Sequence, residues 1–287
     1  MKRFDYHRPE TLKQAISLLV AYKGQAKVLA GGTDLILAMR KESVSPRALI
    51  DLKDITELHS IKEEEKVLRI GALTTIREIE TLPLIKERIC LLAETAEVMA
   101  TLQVRNRATL GGNICHASPA ADMVPPLIGL EGRVRIAGKD DERMAGLEDF
   151  FLGPGQTKLG PEEIVTEVIV PKLDPNSRAT YIKLGPRKLT DLAVVGVALI
   201  LRIDRQSRCD DIRIVMGAVA PRAMRAREAE RKLVGRIVDE RLISEVAEKA
   251  REEAFPITDV RGSEWYRREM VKVLVERGLR KLSIFGM

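Results

Sequence analysis

Two glycine doublets, each followed by small polar residues, constrain this chain more than any other feature of its sequence. The first lies in AGGTDL at residues 30–35, where an apolar run ends and an amphipathic segment begins. The second lies in TLGGNI at residues 109–114 and is followed by ASPAAD at 117–122. Without Cβ atoms, a doublet lets backbone N–H groups approach an anion, and a following helix adds its dipole. One doublet alone is typical of an ordinary turn, but two with matching chemistry predict one extended ligand, such as a dinucleotide, held from both sides.

Composition limits the classes of protein to which the chain can belong. Its 287 residues are enough for two or three modest domains, and 45% hydrophobic with 31% charged residues is typical of a globular protein. No apolar stretch approaches the ~18 residues of a transmembrane helix. The N-terminus lacks the apolar core of a signal peptide, so we expect a cytoplasmic protein without a transmembrane segment. Attachment at the inner membrane face through a complex stays open.

The three cysteines are scattered and odd in number, which argues against a disulfide framework. They also exclude an iron–sulfur cluster held by this chain alone, because such a cluster needs four ligands. His7, His59 and His116 have no metal-ligand spacing, so we predict no metal site.

The net charge of +6 includes a basic cluster between residues 222 and 236. A nucleic-acid interface is one interpretation of this cluster. The aromatic content of 3% offers few platforms for base stacking, and acidic residues are interleaved with the basic ones. A solvated helix face is therefore the better interpretation, and we predict no nucleic-acid partner.

The hydrophobic pattern predicts an α+β protein in three parts. A helix over 11–22 and strands over 26–30 and 48–51 predict a βαβ-like unit at residues 1–55. Strands over 67–71, 134–137 and 164–170, with helices over 75–81 and 84–100, predict a second part at 56–170. A segment with two prolines at 171–177 marks a boundary. Beyond it, strands and then helices over 223–234, 240–254 and 263–281 predict a three-stranded antiparallel sheet with a helical layer, at residues 171–287.

Several motifs occur together in the order and spacing of one known family. They are FDYHRP at 4–9, AGGTDL at 30–35, QVRNR at 103–107, TLGGN at 109–113, ASPAAD at 117–122, FFLG at 150–153, YIKL at 181–184 and DLA at 191–193. On these motifs the chain resembles, over essentially its whole length, the FAD-binding medium subunit of the molybdenum hydroxylases. That family includes xanthine dehydrogenase and aerobic carbon monoxide dehydrogenase. The resemblance implies a two-subdomain FAD-binding fold of the PCMH type and a C-terminal domain like that of the carbon monoxide dehydrogenase flavoprotein.

The resemblance also implies which residues contact FAD. The first loop would wrap the pyrophosphate, the second loop would contact the ribityl chain or the adenine ribose, and a later apolar residue and a lysine would lie near the isoalloxazine. The implied contacts are Leu29, Ala30, Gly31, Gly32, Thr33, Asp34, Leu35, Thr109, Gly111, Gly112, Asn113, Cys115, His116, Ala121, Asp122, Val165 and Lys183.

Some of these residues have alternative structural roles. Asp34 could cap the following helix or accept a hydrogen bond from a ribityl hydroxyl. Asn113 and Asp122 could instead bond their own loop. Nothing near Cys115 in sequence would activate its thiol, so we interpret it as a packing residue. Lys183 would be an exposed strand lysine without the resemblance, whereas beside the flavin its charge would raise the reduction potential.

The resemblance implies an oxidoreductase subunit that transfers electrons and needs no catalytic side chain of its own. A [2Fe–2S] small subunit would deliver the electrons, and a large subunit with the molybdenum cofactor would hydroxylate the substrate. We expect these partners to form a dimer of heterotrimers. The substrate stays open, as does the acceptor, which could be NAD, oxygen or a quinone. The alternatives are a reductase or oxidase without such partners, and a scaffold that has lost FAD.

Overall fold

The computed structural model describes residues 1–187, 191–206 and 208–283. The N-terminal part of the chain forms a small parallel sheet. This sheet has the order β1-β3-β2, so the predicted βαβ-like unit is confirmed. The first helix begins after Thr11, whose hydroxyl accepts from the Gln14 N–H, and it buries Ala15, Ile16 and Leu19. Its elements are β1 (Asp5–His7), α1 (Leu12–Ala21), β2 (Ala26–Leu29), α2 (Leu35–Arg40) and β3 (Ala48–Asp51).

A five-stranded antiparallel sheet of order β4-β5-β10-β6-β7 follows. The helix predicted over 84–100 is interrupted at Ile89, which leaves helical geometry and is fully buried. The elements after a 3-10 turn at Thr56–His59 are β4 (Ile61–Glu63), β5 (Val67–Gly71), α3 (Ile76–Thr81), α4 (Pro83–Arg88), α5 (Cys90–Glu97), α6 (Leu102–Arg105), α7 (Leu110–His116), α8 (Val124–Gly129), β6 (Arg133–Ala137), β7 (Glu142–Gly146), α9 (Leu147–Phe150), β8 (Phe151–Gly153), β9 (Gln156–Thr157) and β10 (Ile164–Pro171).

The C-terminal sheet has four strands, in the order β11-β12-β13-β14, so the prediction of three was wrong. The fourth strand is two residues long and pairs with Val215 and Met216. It lies inside the segment predicted as a helix over 223–234, because so short a strand leaves no periodic signal in the sequence. The elements are β11 (Ser177–Leu184), β12 (Val195–Ile203), β13 (Cys209–Gly217), β14 (Met224–Arg225), α10 (Arg227–Leu233), α11 (Glu240–Glu253) and α12 (Glu264–Ser283).

Strand β12 is buried on both faces, which joins the C-terminal sheet to the rest of the chain. Val195, Val197 and Leu199 pack in the core beneath α11 and α12. Ala198 and Ile200 point the other way, into the core that contains α5 and α8. A sheet covered on both faces explains the uninterrupted apolar run of β12. No helix within the described ranges is long and apolar enough to cross a membrane.

A buried arginine holds the loop between α11 and α12 against the end of this sheet. The Arg267 side chain is 2% exposed and donates to the carbonyls of Val194 and Ala218, at 2.9 Å each. It also donates to the Asp259 carboxylate at 2.6 Å, as does Arg261 at 2.7 Å. Burial disfavours the charge of Asp259, but the hydrogen bonds from Arg261 and Arg267 outweigh it and lower the pKa to about 2. The anchor is therefore charged at every pH well above that value.

We expect Arg267→Met to lower the free energy of unfolding by about 2–4 kcal/mol, because it leaves two buried carbonyls without their donor and removes one of the two arginines that bind the Asp259 carboxylate. Urea unfolding followed by circular dichroism gives the value. The control is Arg241→Met, whose side chain is 87% exposed in its ion pair. That change should stay within about 0.5 kcal/mol. A loss below about 1 kcal/mol for Arg267→Met would show that the anchor is dispensable.

Candidate cofactor site

A cavity of about 800 Å³ lies where the two glycine loops meet. It is lined by residues of both loops and by a third segment around β9 and the start of β10. Its volume is within the range of small-molecule and cofactor pockets. The predicted site residues that line it are Ala30, Gly31, Gly32, Thr33, Asp34, Leu35, Thr109, Gly111, Gly112, Asn113, Cys115, His116 and Val165.

Gly31 brings the first loop into backbone contact with the segment that precedes the second. A Cβ at position 31 would lie 2.1 Å from the Arg107 carbonyl oxygen and 3.0 Å from the Ala108 Cα. The next residue, Gly32, has φ of +78°, in the left-handed region that favours glycine. The first doublet is therefore required by the fold as well as by any ligand, since it sets how closely the two loops approach.

The first loop presents a row of unused backbone donors. Within the described part of the chain, the N–H groups of residues 31–35 have no protein acceptor; the hydrogen bonding of α2 starts with the Ile36 N–H, which donates to the Gly32 carbonyl. Gly31, Gly32, Thr33 and Leu35 are partly buried and Asp34 is exposed, so these donors are open to a ligand that enters the cavity. Because these residues line the cavity, a ligand with several anionic oxygens would satisfy them.

The second loop does not repeat this arrangement, although the two doublets have matching residue types. The N–H groups of Leu110 and Gly111 donate to the carbonyls of Thr74 and Ala72, at 2.9 Å each. The N–H groups of Gly112 and Asn113 donate to the Thr109 hydroxyl and carbonyl, because Thr109 caps α7. What this loop offers instead is a side chain: the Asn113 Oδ1 is buried and has no hydrogen-bond partner among the residues that the structure describes.

Asp34 occupies the N-cap position of α2, but its side chain makes no capping hydrogen bond. Its Oδ1 instead lies 3.7 Å from the Nε2 of His116, which also lines the cavity. Both side chains are about half exposed, at 54% and 51%. The contact links the first loop to the last residue of α7.

Cys115 also lines the cavity, and its thiol is not activated as a nucleophile. Burial raises the pKa of this thiol to about 12, so it is protonated at neutral pH. A protonated thiol is a poor nucleophile, which agrees with the interpretation of Cys115 as a packing residue.

Lys183 and Asp122 form a buried pair that does not line the cavity. Lys183 Nζ lies 2.7 Å from the Asp122 carboxylate and 3.3 Å from the carbonyl of Val98, the residue before the cavity-lining Met99. The Tyr181 hydroxyl donates to the other Asp122 oxygen at 2.9 Å. Burial raises the pKa of Asp122, although the Lys183 charge opposes it. Burial and the Asp122 charge raise the pKa of Tyr181, so its hydroxyl remains a donor.

Four predicted contacts therefore lie outside the cavity lining: Leu29, Ala121, Asp122 and Lys183. Leu29 and Ala121 belong to hydrophobic clusters. Leu29 also faces the first doublet, with its Cδ1 3.1 Å from where a Cβ of Gly32 would stand. Whether these four contact a cofactor stays a prediction.

The third wall of the cavity was not predicted. Leu152 of β8 and Gln156 and Thr157 of β9 line it, together with Gly155 in the turn between the two strands. The Gly155 N–H in that turn donates to the Ala117 carbonyl, which attaches the turn to the second loop. The GPGQTK sequence at 153–158 lacks the Gly-Lys-Ser/Thr ending of a phosphate-binding loop. The sequence pattern therefore predicted no ligand contact for this segment. Met99, which follows the residue whose carbonyl accepts from Lys183, also lines the cavity and was also missed.

We expect Gly31→Ala to lower the free energy of unfolding by about 1–3 kcal/mol, because the new methyl group would force the two loops apart. Thermal unfolding measures the loss. Gly146→Ala is the control, since a Cβ at position 146 would meet no atom within 4 Å. Equal stability of the two variants would mean that the loops separate without cost, contrary to the contact described here.

Comparisons with known proteins agree with this architecture. Residues 2–173 match the model of the FAD binding domain in molybdopterin dehydrogenase. Residues 180–282 match the model of the carbon monoxide dehydrogenase flavoprotein C-terminal domain. The chain is 34% identical to the carbon monoxide dehydrogenase medium chain of Hydrogenophaga pseudoflava, over 96% of each chain. It is 32% identical to the glyceraldehyde dehydrogenase medium chain of Sulfolobus acidocaldarius, over 98% of each.

Solved structures show the same fold. Carbon monoxide dehydrogenase from Hydrogenophaga pseudoflava, in a form lacking the Mo-pyranopterin moiety of the molybdenum cofactor, matches with a TM-score of 0.95 at 34% identity. The match covers 98% of this chain and 97% of that one. Quinoline 2-oxidoreductase from Pseudomonas putida 86 matches with a TM-score of 0.93 at 31% identity, over 99% and 98%. The chain therefore belongs to the FAD-binding medium subunits of the molybdenum hydroxylases, the flavoprotein subunits of carbon monoxide dehydrogenase-type and xanthine dehydrogenase-type oxidoreductases.

Proposed function

We propose that this chain binds FAD in the cavity between its glycine loops and passes electrons from a [2Fe–2S] subunit to an external acceptor. A large subunit with the molybdenum cofactor would oxidise the substrate. The observation that carries the proposal is the row of unused N–H groups at residues 31–35, at the wall of a cavity of cofactor size. Bound FAD would supply the chemistry that the chain lacks, since a flavin accepts single electrons and releases a pair as hydride.

The donors of the first loop fit a diphosphate. A diphosphate carries several anionic oxygens, and backbone N–H groups in a concave loop are good partners for them. The start of α2 lies directly behind these donors, so its dipole favours the same charge. The Asp34 carboxylate makes no capping bond and leans toward His116, which leaves the N–H groups free.

The opposite wall fits the uncharged parts of FAD. The unpartnered Asn113 Oδ1 would accept a hydrogen bond from a hydroxyl of the ribityl chain. Met99, Cys115 and Val165 add apolar surface for a flat ring. The ring end would then lie toward Lys183, because Lys183 bonds the carbonyl next to Met99.

Lys183 and Asp122 would tune the flavin as a pair. A lone cation beside the ring favours electron uptake, but here the Asp122 carboxylate, 2.7 Å away, offsets most of the Lys183 charge. Asp122 is held in turn by the Tyr181 hydroxyl. Loss of the Lys183 charge and loss of the Asp122 charge should therefore shift the reduction potential of the flavin in opposite directions.

We further propose that the chain is divided into three parts, at residues 1–55, 56–170 and 171–287. The first two parts would clasp the cofactor from either side, and the third would cover its ring end. The proposed partners are an iron–sulfur small subunit and a molybdenum large subunit, assembled as a dimer of heterotrimers. NAD or a quinone is the class of acceptor proposed.

Purified protein should contain FAD and not FMN, because FMN lacks the diphosphate that the first loop fits. Heat release followed by mass spectrometry identifies the cofactor. Metal and flavin analysis of the complex isolated from native cells then tests the partners. Recovery of FMN, or of well-folded protein without flavin, would contradict the proposal. Elution of all flavin-bearing chains without iron or molybdenum would favour the stand-alone reductase or oxidase instead.

We expect Lys183→Met and Asp122→Asn to move the flavin reduction potential in opposite directions. The first leaves an unpaired carboxylate and should lower the potential; the second leaves an unpaired ammonium and should raise it. Each shift should be a few tens of millivolts, since ~30 mV corresponds to 1.4 kcal/mol for a two-electron couple. Potentiometric titration with FAD still bound measures both shifts. Shifts of the same sign in both variants would show that the Lys183–Asp122 pair does not tune the flavin.

A further inference from the structure

The QVRNR motif at residues 103–107 contains an arginine whose role the cavity lining does not explain. The side chain of Arg105 is only 12% exposed, and it is not among the residues that line the cavity. Its Nε donates to the Glu80 carboxylate of α3 at 2.8 Å, and its Nη2 donates to the other carboxylate oxygen at 3.5 Å. A forked ion pair of this kind fixes the plane of the guanidinium and leaves Nη1 for other acceptors.

Arg105 Nη1 donates to the backbone turn between α5 and α6. It lies 2.9 Å from the Met99 carbonyl oxygen and 3.3 Å from the Ala100 carbonyl oxygen. Ala100 has φ of +47°, in the left-handed region that a residue with a Cβ adopts mainly where its surroundings hold it there. The hydrogen bonds from Arg105 are therefore part of what keeps this turn in its conformation.

The preceding carbonyl of the same turn accepts a hydrogen bond from a second cation. Lys183, on β11, donates to the Val98 carbonyl at 3.3 Å. Three successive carbonyls, those of residues 98–100, therefore accept from two cationic side chains that belong to different elements. We call residues 98–100 the clamped turn. A shift of the clamped turn would disturb the hydrogen bonds of both cations.

The clamped turn is joined to the proposed cofactor site in two ways. The buried side chain of Met99 lines the cavity. Lys183, which bonds both the Val98 carbonyl and the Asp122 carboxylate, is the cation of the proposed flavin-tuning pair. If the turn moved away, Lys183 would lose the Val98 acceptor, and its ammonium would be held by Asp122 alone.

We propose that Arg105 is a positioning residue for the ring end of the cofactor. It acts through the clamped turn, which sets where Met99 lies in the cavity wall and where the Lys183 ammonium is held. This inference rests on the proposed function, because it takes the flavin ring to lie at this end of the cavity. An ion pair that only joined α3 to α6 would need the Glu80 contact alone, whereas Arg105 also binds two carbonyls of the turn.

The test compares variants of the full chain with FAD bound. In Arg105→Leu the clamped turn loses both Nη1 hydrogen bonds, whereas in Arg105→Lys an ammonium can take the place of Nη1. The control is Arg77→Leu, because Arg77 bonds the same Glu80 carboxylate at 2.7 Å. Within the described ranges, Arg77 makes no bond to the clamped turn. FAD content, melting temperature and the flavin reduction potential, from potentiometric titration, are measured for each variant.

Arg105→Leu should keep its FAD, because the N–H groups of residues 31–35 are unchanged, and should lower the reduction potential. The Lys183 ammonium, held by Asp122 alone, would stabilise the reduced ring less. We expect the preference of the site for reduced over oxidised flavin to fall about tenfold, which corresponds to ~30 mV for a two-electron couple. Arg105→Lys and Arg77→Leu should each change this preference by less than about twofold.

A second variant covers the case in which Arg105→Leu fails to fold or loses FAD. Arg105→Gln can still donate from its amide to one of the two carbonyls. It should lower the same preference about threefold.

The action through Lys183 is tested by combining Arg105→Leu with Lys183→Met. Changes that act through one shared group are not additive. The double variant should therefore have the reduction potential of Lys183→Met alone.

Three outcomes would overturn the inference. They are an unchanged or raised potential in the Arg105 variants with FAD bound, an equal shift in Arg77→Leu, and a full further shift when Arg105→Leu is added to Lys183→Met. A well-folded wild-type chain without FAD would refute the proposed function instead. The FAD content of the wild type and the potentials of the variants therefore distinguish the two failures.

Discussion

The backbone contact between Gly31 and the Arg107–Ala108 segment determines the site on which everything else depends. It joins the parallel sheet of the N-terminal part to the helices of the next part at a distance that no side chain would permit. Because the loops meet backbone to backbone at this point, the space beyond them stays open as a cavity. The same contact fixes the row of N–H groups at residues 31–35 against the wall that carries Asn113. Packing thus requires glycine at position 31, and the ligand proposed for the cavity would use the backbone N–H groups that begin there.

The two glycine doublets illustrate how far the sequence could predict the site. Both consist of two glycines followed by a small polar residue, and both line the cavity. Their hydrogen bonding differs because Thr109 caps α7 and consumes donors, whereas Asp34 makes no capping bond. The acceptors for Leu110 and Gly111 are carbonyls of Thr74 and Ala72, more than thirty residues earlier. A local pattern locates such a loop, but only tertiary contacts determine which of its donors remain free.

The same limit explains the errors in the fold. Long periodic segments such as α11 and α12, and the apolar strands β12 and β13, were predicted with the correct type because their patterns repeat. Strand β14 was missed, since its two residues are strand only by pairing with β13. The turn between β8 and β9 has no recognisable binding motif. Its place in the cavity wall depends on the hydrogen bond from the Gly155 N–H to the Ala117 carbonyl. Elements defined by their neighbours leave little trace in the local sequence.

Two clusters of buried polar groups lie at one end of the C-terminal sheet. Tyr181 reaches Asp122 because Gly196, on the neighbouring strand, leaves room; a Cβ there would lie 2.4 Å from the tyrosine oxygen. Arg267 binds the carbonyls at the same end of that sheet and, through Asp259, holds the segment outside it. Both clusters are anchored to β12, whose two faces pack into different cores. A sheet that is buried on both faces keeps the Lys183–Asp122 pair and the Arg267–Asp259 pair in a fixed relation to each other.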